Sequence, residues 1–203
     1  MINKDTLVFG SFSSNPGNNG SNFFNTKFKE NNINAIYKSF YSDNISDSFK
    51  AAKSLSFGGF AVSMPFKFEI INLVDNLENT VKEIGAANTV LFLKGSSIAY
   101  NTDWVAAKDY LEKIDVDFLS IAGSGGFSKA IQYACKKLDL KYEVIDRANW
   151  DKINSIENYI FNATPADLIG ENIIDGRPFT KTGQMIAMTQ AQKQYEIYSK
   201  LFN

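Results

Sequence analysis

The chain has 203 residues, of which 44% are hydrophobic, 14% aromatic and 21% charged, a composition typical of a globular protein with one large domain or two small ones. The net charge of -1 gives no reason to expect nucleic acid or an anionic membrane as a partner. With no histidine and Cys135 as the single cysteine, the sequence excludes an internal disulfide, a Ser-His-Asp triad, a Cys-His pair and most zinc sites, so we predict no metal site and expect acid–base chemistry to use Lys, Asp, Glu or Tyr.

Strand and helix patterns alternate along the first half of the chain, as is typical of α/β architecture. In chain order they predict a strand over 5–12, a polar Gly/Asn/Ser-rich loop, a helix beginning near Asn22, a strand over 33–41, a helix over 42–55 with Asp or Ser caps, a strand over 58–64, a helix opened by Pro65, and a hairpin over 86–100 with its turn at Lys94–Ser97.

The second half begins with a helix pattern from about Asp103 to Lys113, and we place a domain boundary near 103–116. A strand, a glycine turn and a helix follow within 117–138. Further patterns predict strands over 141–146, 158–165 and 172–178, and a long C-terminal helix over 182–203.

Segments that direct a protein to a membrane are not evident. No window approaches about eighteen apolar residues, and the opening MINKDTLVFGSF lacks the long apolar stretch and small-residue cleavage site of a signal peptide. We therefore expect no membrane partner and a cytoplasmic location.

The glycine turn consists of Gly123, Ser124, Gly125, Gly126, Phe127 and Ser128, and it lies between a strand and a helix. In that context small residues let the backbone approach a pyrophosphate, and the helix N-terminus favours negative charge. The pattern predicts a dinucleotide site, although Ser128 occupies the third glycine position. A glycine turn without a ligand is the alternative.

Asp146 and Arg147 end the next strand pattern and bear on the choice of dinucleotide. An acidic residue there accepts the ribose hydroxyls of NAD, whereas an arginine pairs with the extra phosphate of NADP. Both residue types are present, so the residues leave the choice open. A solvated surface pair is the other interpretation.

Lys67 and Asp103 are the candidates for proton transfer. Lys67 ends the stretch AVSMPFK, directly after a strand pattern, and Asp103 lies in AYNTDW. Taken singly, Lys67 is typical of a surface lysine, Asp103 of a helix N-cap and Asn88 of a turn. A lysine beside a carboxylate in a partly dry cleft can move a proton and stabilise a developing alkoxide.

Six motifs occur in one order along nearly the whole chain. They are Val62-Ser63-Met64-Pro65-Phe66-Lys67, Ala86-Ala87-Asn88-Thr89, Asn101-Thr102-Asp103, the glycine turn from Gly123 to Ala130, Asn162-Ala163-Thr164-Pro165, and Gly183 with Gln190-Ala191. With these motifs the chain resembles the shikimate dehydrogenases, and within them the shikimate dehydrogenase-like branch, to whose opening the loop with Ser11 and Ser13 is also similar.

The resemblance implies an α/β fold with a cleft between two domains. Residues 1–102 would be a substrate-binding domain on which 183–203 packs back, and 103–182 a small, trimmed Rossmann-like domain that binds NADP, with NAD as an alternative. The reaction would interconvert 3-dehydroshikimate and shikimate, or a close cyclic polyol carboxylate, by hydride transfer. The protein would be a monomer or a homodimer.

Residue roles follow from the same resemblance. Lys67 would give or take the proton of the reacting oxygen, and Asp103 would hold that oxygen and orient the lysine. The substrate-binding residues would be Ser11, Ser13, Ser63, Asn88 and Gln190. The cofactor-binding residues would be Gly123, Ser124, Gly125, Gly126, Phe127, Arg147, Asn162 and Thr164.

The cofactor half departs from the family pattern because it is short. The family's D-x-x-Y segment keeps Asp175 but has no tyrosine, and Phe179 is the nearest aromatic residue. A protein that binds a shikimate-like ligand or regulates, with weak or lost dehydrogenase activity, is therefore the second hypothesis. A dehydrogenase for quinate or an amino analogue is the third, suggested by the altered SSNPGNNG loop.

Overall fold

Two compact units make up the part of the chain that the computed structural model describes, which is residues 2–202. The first unit contains the residues up to Thr102 together with those from Ala191 onward. The second unit is Asp103–Gln190. No helix within residues 2–202 is both long enough and apolar enough to cross a membrane.

The first unit is built on a mixed six-stranded sheet in the order β2-β1-β3-β5-β6-β4. Its elements are β1 (Leu7–Ser13), α1 (Asn19–Glu30), β2 (Ala35–Tyr41), α2 (Ile45–Ser54), β3 (Gly59–Val62), a 3₁₀ turn (Ile70–Asn72), β4 (Asn76–Leu77), α3 (Asn79–Ile84), β5 (Thr89–Leu93) and β6 (Ser96–Tyr100). β1 runs parallel to β2 and β3, whereas β5 is antiparallel to β3 and β6. The predicted strands, the first two helices and the hairpin are confirmed.

Three details of the first unit differ from the sequence prediction. Pro65 opens no α-helix, because the backbone from Ser63 to Ile70 closes tight turns instead: Phe66 N donates to Ser63 O at 3.0 Å and Glu69 N to Phe66 O at 3.1 Å. β4 and α3 were missed because both are too short to show a period. The cap of α2 is Asn44, whose Oδ1 accepts from Asp47 N at 3.1 Å, and neither an Asp nor a Ser.

The second unit is built on a four-stranded, fully parallel sheet in the order β10-β9-β7-β8. Its elements are α4 (Asp103–Leu111), β7 (Phe118–Ala122), α5 (Gly126–Lys137), β8 (Lys141–Ile145), a 3₁₀ segment (Trp150–Ser155), β9 (Tyr159–Asn162), β10 (Ile173–Asp175) and the start of α6 (Lys181–Tyr198), which is followed by a 3₁₀ turn (Ser199–Leu201). The α/β fold class with a Rossmann-like second sheet is confirmed.

Aromatic side chains dominate the core of the first unit. One cluster surrounds Phe60, which is fully buried with its ring 5.0 Å from that of Phe12. A second cluster joins Phe9 and Phe24 to Tyr198 of α6, with the Phe9 and Tyr198 rings 4.7 Å apart. Helix α6 therefore belongs to both units: its residues up to Gln190 group with the second unit, and those after it complete the core of the first.

A carboxylate lock beside the hairpin gives the first unit a testable dependence on pH. Asp75 Oδ2 accepts from Ser97 N at 2.8 Å and from Ser97 Oγ at 2.7 Å, and these bonds lower the pKa of Asp75 below its usual range. A lowered pKa in the folded state contributes stability above the unfolded pKa, and that stability is lost as the pH falls through the folded pKa. Asp75→Ala should therefore lower Tm at neutral pH and lower it less in acid. An equal fall at both pH values would contradict this account.

Candidate active site

The carboxyl ends of β1 and β3 form one edge of the first unit's sheet. The two strands are parallel, with Phe12 opposite Val62, and Ser63 N donates to Phe12 O at 3.1 Å. β5 is antiparallel to β3 and places Thr89 opposite Ala61, so the start of β5 reaches the same edge. The predicted residues Ser13, Ser63, Lys67 and Asn88 thus come from segments that meet at one edge of the sheet.

Lys67 lies on the turn after β3, and the fold holds that turn at two points. Phe66 packs into the core and is 5% exposed. The carbonyl oxygen of Lys67 accepts from Ala87 N at 2.9 Å, which fastens the lysine backbone to the segment that leads into Asn88. A lysine therefore follows a buried phenylalanine at a fixed position on the sheet edge, and its side chain is half-buried.

Asn88 is buried, and the fold fixes the plane of its side-chain amide. Its Oδ1 accepts from Thr102 N and from Thr89 Oγ1, both at 2.9 Å, while its Nδ2 donates to Thr102 Oγ1 at 2.9 Å. Asn101 Nδ2 adds a bond to Ala86 O at 2.9 Å. The Asn101-Thr102 dipeptide thus locks the end of β6 onto the segment before β5.

Gln194 is a residue of this region that the sequence prediction did not single out. Its side chain is 4% exposed, and its Nε2 donates to Thr89 Oγ1 at 2.9 Å and to Asn88 O at 3.3 Å. Gln194 lies one helical turn after Gln190, so the two glutamines share a face of α6. That spacing was the signal by which Gln194 could have been found. Gln190 itself is half-buried.

The serines of the first unit differ in exposure. Ser13 is 6% exposed, Ser11 is half-buried, and Ser63 is exposed. Ser11 interacts with the phenol of Tyr37, whose pKa is raised by burial and lowered to a smaller extent by that contact with Ser11. All three lie on or directly after β1 and β3, so their placement follows from the parallel register of these strands.

Asp103 is the first residue of α4 in the second unit and is 1% exposed. It is thus the first helical residue and not the residue before the helix. The N-terminus of a helix favours a negative charge, because the N–H groups of the first turn point toward it.

The glycine turn follows β7 in a conformation that side chains disfavour. Gly123 has φ +109°, and a Cβ there would lie 2.8 Å from Thr164 Cγ2. Gly125 is different, since a Cβ built on it meets no atom of the described chain within 4 Å. Helix α5 then begins at Gly126 without a side-chain cap. Open space in front of an uncapped helix N-terminus fits the phosphates of a dinucleotide.

Phe127 and Ser128 turn their side chains away from that space. The Phe127 ring packs 5.9 Å from the ring of Phe161 in an edge contact, and Ser128 is fully buried. Phe127 therefore offers a ligand its backbone N–H in the first turn of α5. Ser128, at the position where the fingerprint uses a third glycine, accepts from Gln132 Nε2 at 3.1 Å within α5.

Asn162 and Thr164 order the loop after β9. Asn162 Oδ1 accepts from Thr164 N at 3.0 Å and from Thr164 Oγ1 at 2.8 Å, and Asn162 Nδ2 donates to Ala166 O at 2.8 Å. Because Thr164 lies against Gly123, this network shapes the wall beside the glycine turn. In this structure the side chains of Asn162 and Thr164 form hydrogen bonds within their own loop.

Asp146 and Arg147, which follow β8, have different roles in the structure. Asp146 Oδ1 accepts from Ala148 N at 2.9 Å, and Asp146 N donates to Asn149 Oδ1 at 2.7 Å. Asp146 therefore closes a turn. Arg147 is exposed and could pair with the extra phosphate of NADP. Asp146 is already used by the turn, which makes it less suited to accept the ribose hydroxyls of NAD.

Arg177 is the second residue that the sequence prediction missed. Its guanidinium contacts Asp175 and Asp167, with Nη2 2.6 Å from an oxygen of each, and the side chain is 13% exposed. The two carboxylates raise the pKa of Arg177 still further. Asp167 lies on the loop after β9, so Arg177 ties that loop to the end of β10.

Comparison with known proteins shows that the chain is similar to members of the shikimate dehydrogenase family. Residues 20–90 match the family model described as the shikimate dehydrogenase substrate binding domain. A shikimate dehydrogenase-like protein from Haemophilus influenzae is 36% identical over 139 residues, which is 67% of this chain and 51% of that protein. The NADP(+) shikimate dehydrogenase of Aquifex aeolicus is 32% identical over 184 residues, 86% of this chain and 66% of that protein.

Solved structures agree on the fold. A shikimate 5-dehydrogenase-like protein aligns with a TM-score of 0.79 at 27% identity, covering 98% of this chain and 94% of that one. The shikimate dehydrogenase of Aquifex aeolicus aligns with a TM-score of 0.78 at 24% identity, covering 98% and 95%. By sequence, the chain spans about half of the Haemophilus influenzae protein and just under two thirds of the Aquifex aeolicus protein.

Proposed function

Because the chain belongs to the shikimate dehydrogenase family, we propose that it is an oxidoreductase that moves a hydride between NADP(H) and a shikimate-like cyclic polyol carboxylate. The observation that carries this proposal is the bond from Ala87 N to Lys67 O. It fixes the backbone of Lys67 next to the segment that carries Asn88, at the sheet edge formed by the ends of β1 and β3.

Lys67 and Asp103 are proposed to handle the proton. Lys67 gives a proton to the substrate oxygen that becomes a hydroxyl, or takes it in the reverse direction, and its positive charge stabilises the developing alkoxide. Asp103 holds the same oxygen and orients the ammonium group. The burial of Asp103 supports this role, because a buried carboxylate interacts strongly with a nearby cation.

Residues of the first unit, with Gln190 of α6, are proposed to bind the substrate. Asn88, Ser63 and Gln190 would bind the ring hydroxyls, since fixing a polyol takes several directed polar groups. Ser11 and Ser13 would bind the carboxylate. The locked amide of Asn88 supports its part, because a side chain whose plane is already fixed loses little further freedom when a ligand binds.

The second unit is proposed to bind NADP(H), which supplies or accepts the hydride. The residues fit this group: Gly123 adopts a backbone that favours glycine, Gly125 leaves open space, and α5 presents an uncapped N-terminus for the pyrophosphate. Arg147 would pair with the extra phosphate of NADP, while Asp146 closes the turn beside it. Ser124, Gly126, Phe127, Asn162 and Thr164 would complete the cofactor site.

Gly125→Ala should separate cofactor binding from stability. The added Cβ enters the space that meets no atom of the described chain, and φ at Gly125 is -74°, which alanine adopts readily. We expect the dissociation constant for NADP to rise about 10-fold or more, on the scale of one methyl group's worth of close contact in a site, while Tm and shikimate binding stay unchanged. Calorimetry with each ligand measures this, and unchanged NADP binding would remove the glycine turn from the cofactor site.

A binding or regulatory protein with weak or lost dehydrogenase activity is the second candidate. It is favoured by the short cofactor unit, in which β8 ends a sheet of four strands. Calorimetry and an absorbance assay distinguish the two candidates. Heat of binding with shikimate but not with NADP favours the binding protein. An NADP-dependent change in absorbance on adding shikimate favours the dehydrogenase. Quinate and an amino analogue in the same assay test the third candidate.

A further inference from the structure

We propose that the outer edge of β8 pairs with β8 of a second copy of this chain, antiparallel and centred on Tyr142, to form a homodimer with a continuous sheet. This interaction goes beyond the proposed catalytic function and uses none of the residues assigned to substrate or cofactor. It rests on the direction of the backbone groups of β8, on the charges beside Tyr142 and on the position of β8 in the sheet.

Within residues 2–202, no strand pairs with the outer side of β8. The four-stranded sheet ends at β8, which pairs with β7 over the whole of Lys141–Ile145. An edge strand presents a row of backbone N–H and C=O groups that can pair with another chain. A sheet edge of five residues is long enough for such pairing and short enough that the dimer should be reversible.

The hydrogen bonds of β8 show which residues face outward. Ile145 O accepts from Gly123 N at 2.7 Å, so the backbone groups of Ile145 point toward β7. Backbone groups alternate in direction along a strand. The backbone N–H and C=O of Lys141 and Glu143 therefore also point toward β7, and those of Tyr142 and Val144 point away from it. Val144 O accepts from Asn149 Nδ2 at 3.2 Å, which caps the edge beyond Tyr142. The N–H and C=O of Tyr142 are therefore the central pair offered to another strand.

The charges beside Tyr142 select one register. Lys141 and Glu143 are both exposed and lie on the same face of β8. With Tyr142 opposite its own copy, Lys141 of each chain lies opposite Glu143 of the other, and directly opposed opposite charges stabilise a strand pair. Centring the pair on Glu143 or on Lys141 would shift the register by two residues and set Glu143 against Glu143 or Lys141 against Lys141, which is destabilising.

The other face of β8 supports the same register. Leu140 and Tyr142 are half-buried against the core of the second unit, so each has an exposed part at the edge. In the Tyr142-centred pairing the two tyrosines lie side by side and Leu140 of one chain lies opposite Val144 of the other. A lysine alone on an edge strand opposes association. The glutamate two residues later makes this edge complementary to itself.

The test is the mass of the full chain in solution, measured by sedimentation equilibrium over a wide range of protein concentration. We expect a reversible monomer–dimer equilibrium that weakens with salt. Lys141→Glu should raise the dimer dissociation constant at least 10-fold, and the exchange of both charges in Lys141→Glu/Glu143→Lys should restore it. Lys38→Glu, at an exposed lysine on the edge strand β2 of the first unit, is the matched control and should leave the dimer unchanged.

Backbone dependence is tested separately with Tyr142→Pro, because its lost N–H points away from β7 and the β7–β8 ladder is kept. Circular dichroism and Tm show whether this variant folds, and if it does not, the charge exchange alone decides. A monomer at every concentration would overturn the proposal. So would a dimer that Lys141→Glu leaves intact, or a double variant that fails to recover.

Discussion

Lys67→Ala should lower the rate of hydride transfer by about 100-fold or more, the scale expected when a general acid or base is removed. Lys67 is proposed as the group that carries the proton of the reacting oxygen, and an alanine can neither carry a proton nor stabilise the alkoxide. Tm should change little, because the turn is held by Phe66 and by the backbone bond from Ala87, which the substitution leaves in place. The rate is followed by the absorbance of NADPH with shikimate in excess.

Two further variants sharpen this prediction. Lys67→Arg keeps the positive charge but binds its proton too tightly to release it near neutral pH, so it should recover substrate binding without recovering the rate. Lys82→Ala changes an exposed lysine in the last turn of α3 and should have the activity of the unmodified protein. A Lys67→Ala variant with unchanged turnover would remove Lys67 from the chemistry.

Gly183→Ala should destabilise the second unit by about 3 kcal/mol, at the upper end of the cost of overpacking, which corresponds to a fall of roughly 10 °C in Tm. A Cβ on Gly183 would overlap the carbonyl oxygen of Arg177 and lie 3.0 Å from the carbonyl carbon of Gly176. Both obstacles are backbone atoms, and Thr180 Oγ1 fixes them by donating to Arg177 O at 2.9 Å and accepting from Gly183 N at 3.0 Å.

Gly17→Ala is the control for this second prediction, since a Cβ on Gly17 meets no atom of the described chain within 4 Å. Thermal unfolding of both variants beside the unmodified protein gives the comparison. Similar Tm values for the two variants would mean that the start of α6 shifts to accept the methyl group. The connection from β10 to α6 would then be less tightly determined than its hydrogen bonds indicate.

The parts of the fold that the sequence predicts are those with a local signal. The strand, glycine turn and helix around Gly123 are predicted from local composition. The hairpin turn falls at Lys94 and Gly95, both of which have positive φ. The helix predicted at Pro65 is wrong because proline suits a tight turn as well as the start of a helix. Here the turn forms, and it buries Phe66 and Ile70 in the core. That decision is made by packing and leaves no local pattern.

The same reason separates the site residues that were predicted from those that were not. Lys67 and Asn88 lie in short motifs whose spacing is visible in one dimension. Gln194 acts on Asn88 from 106 residues away, and nothing in its neighbourhood in the sequence marks its partner. Arg177 is likewise defined by Asp167, ten residues earlier on another loop. The spacing from Gln190 marks Gln194 as a candidate, but the partners of Gln194 and Arg177 become visible only in the folded chain.

The division of α6 between the two units has a consequence for the order of events on the ribosome. Residues up to Thr102 emerge first, yet their aromatic cluster around Phe9 and Phe24 is completed by Tyr198 and its neighbours in the C-terminal helix. The whole of Asp103–Gln190 is synthesised in between. A nascent chain must therefore carry an uncovered aromatic surface while the second unit is made, and the first unit reaches its native core only after translation has passed the second.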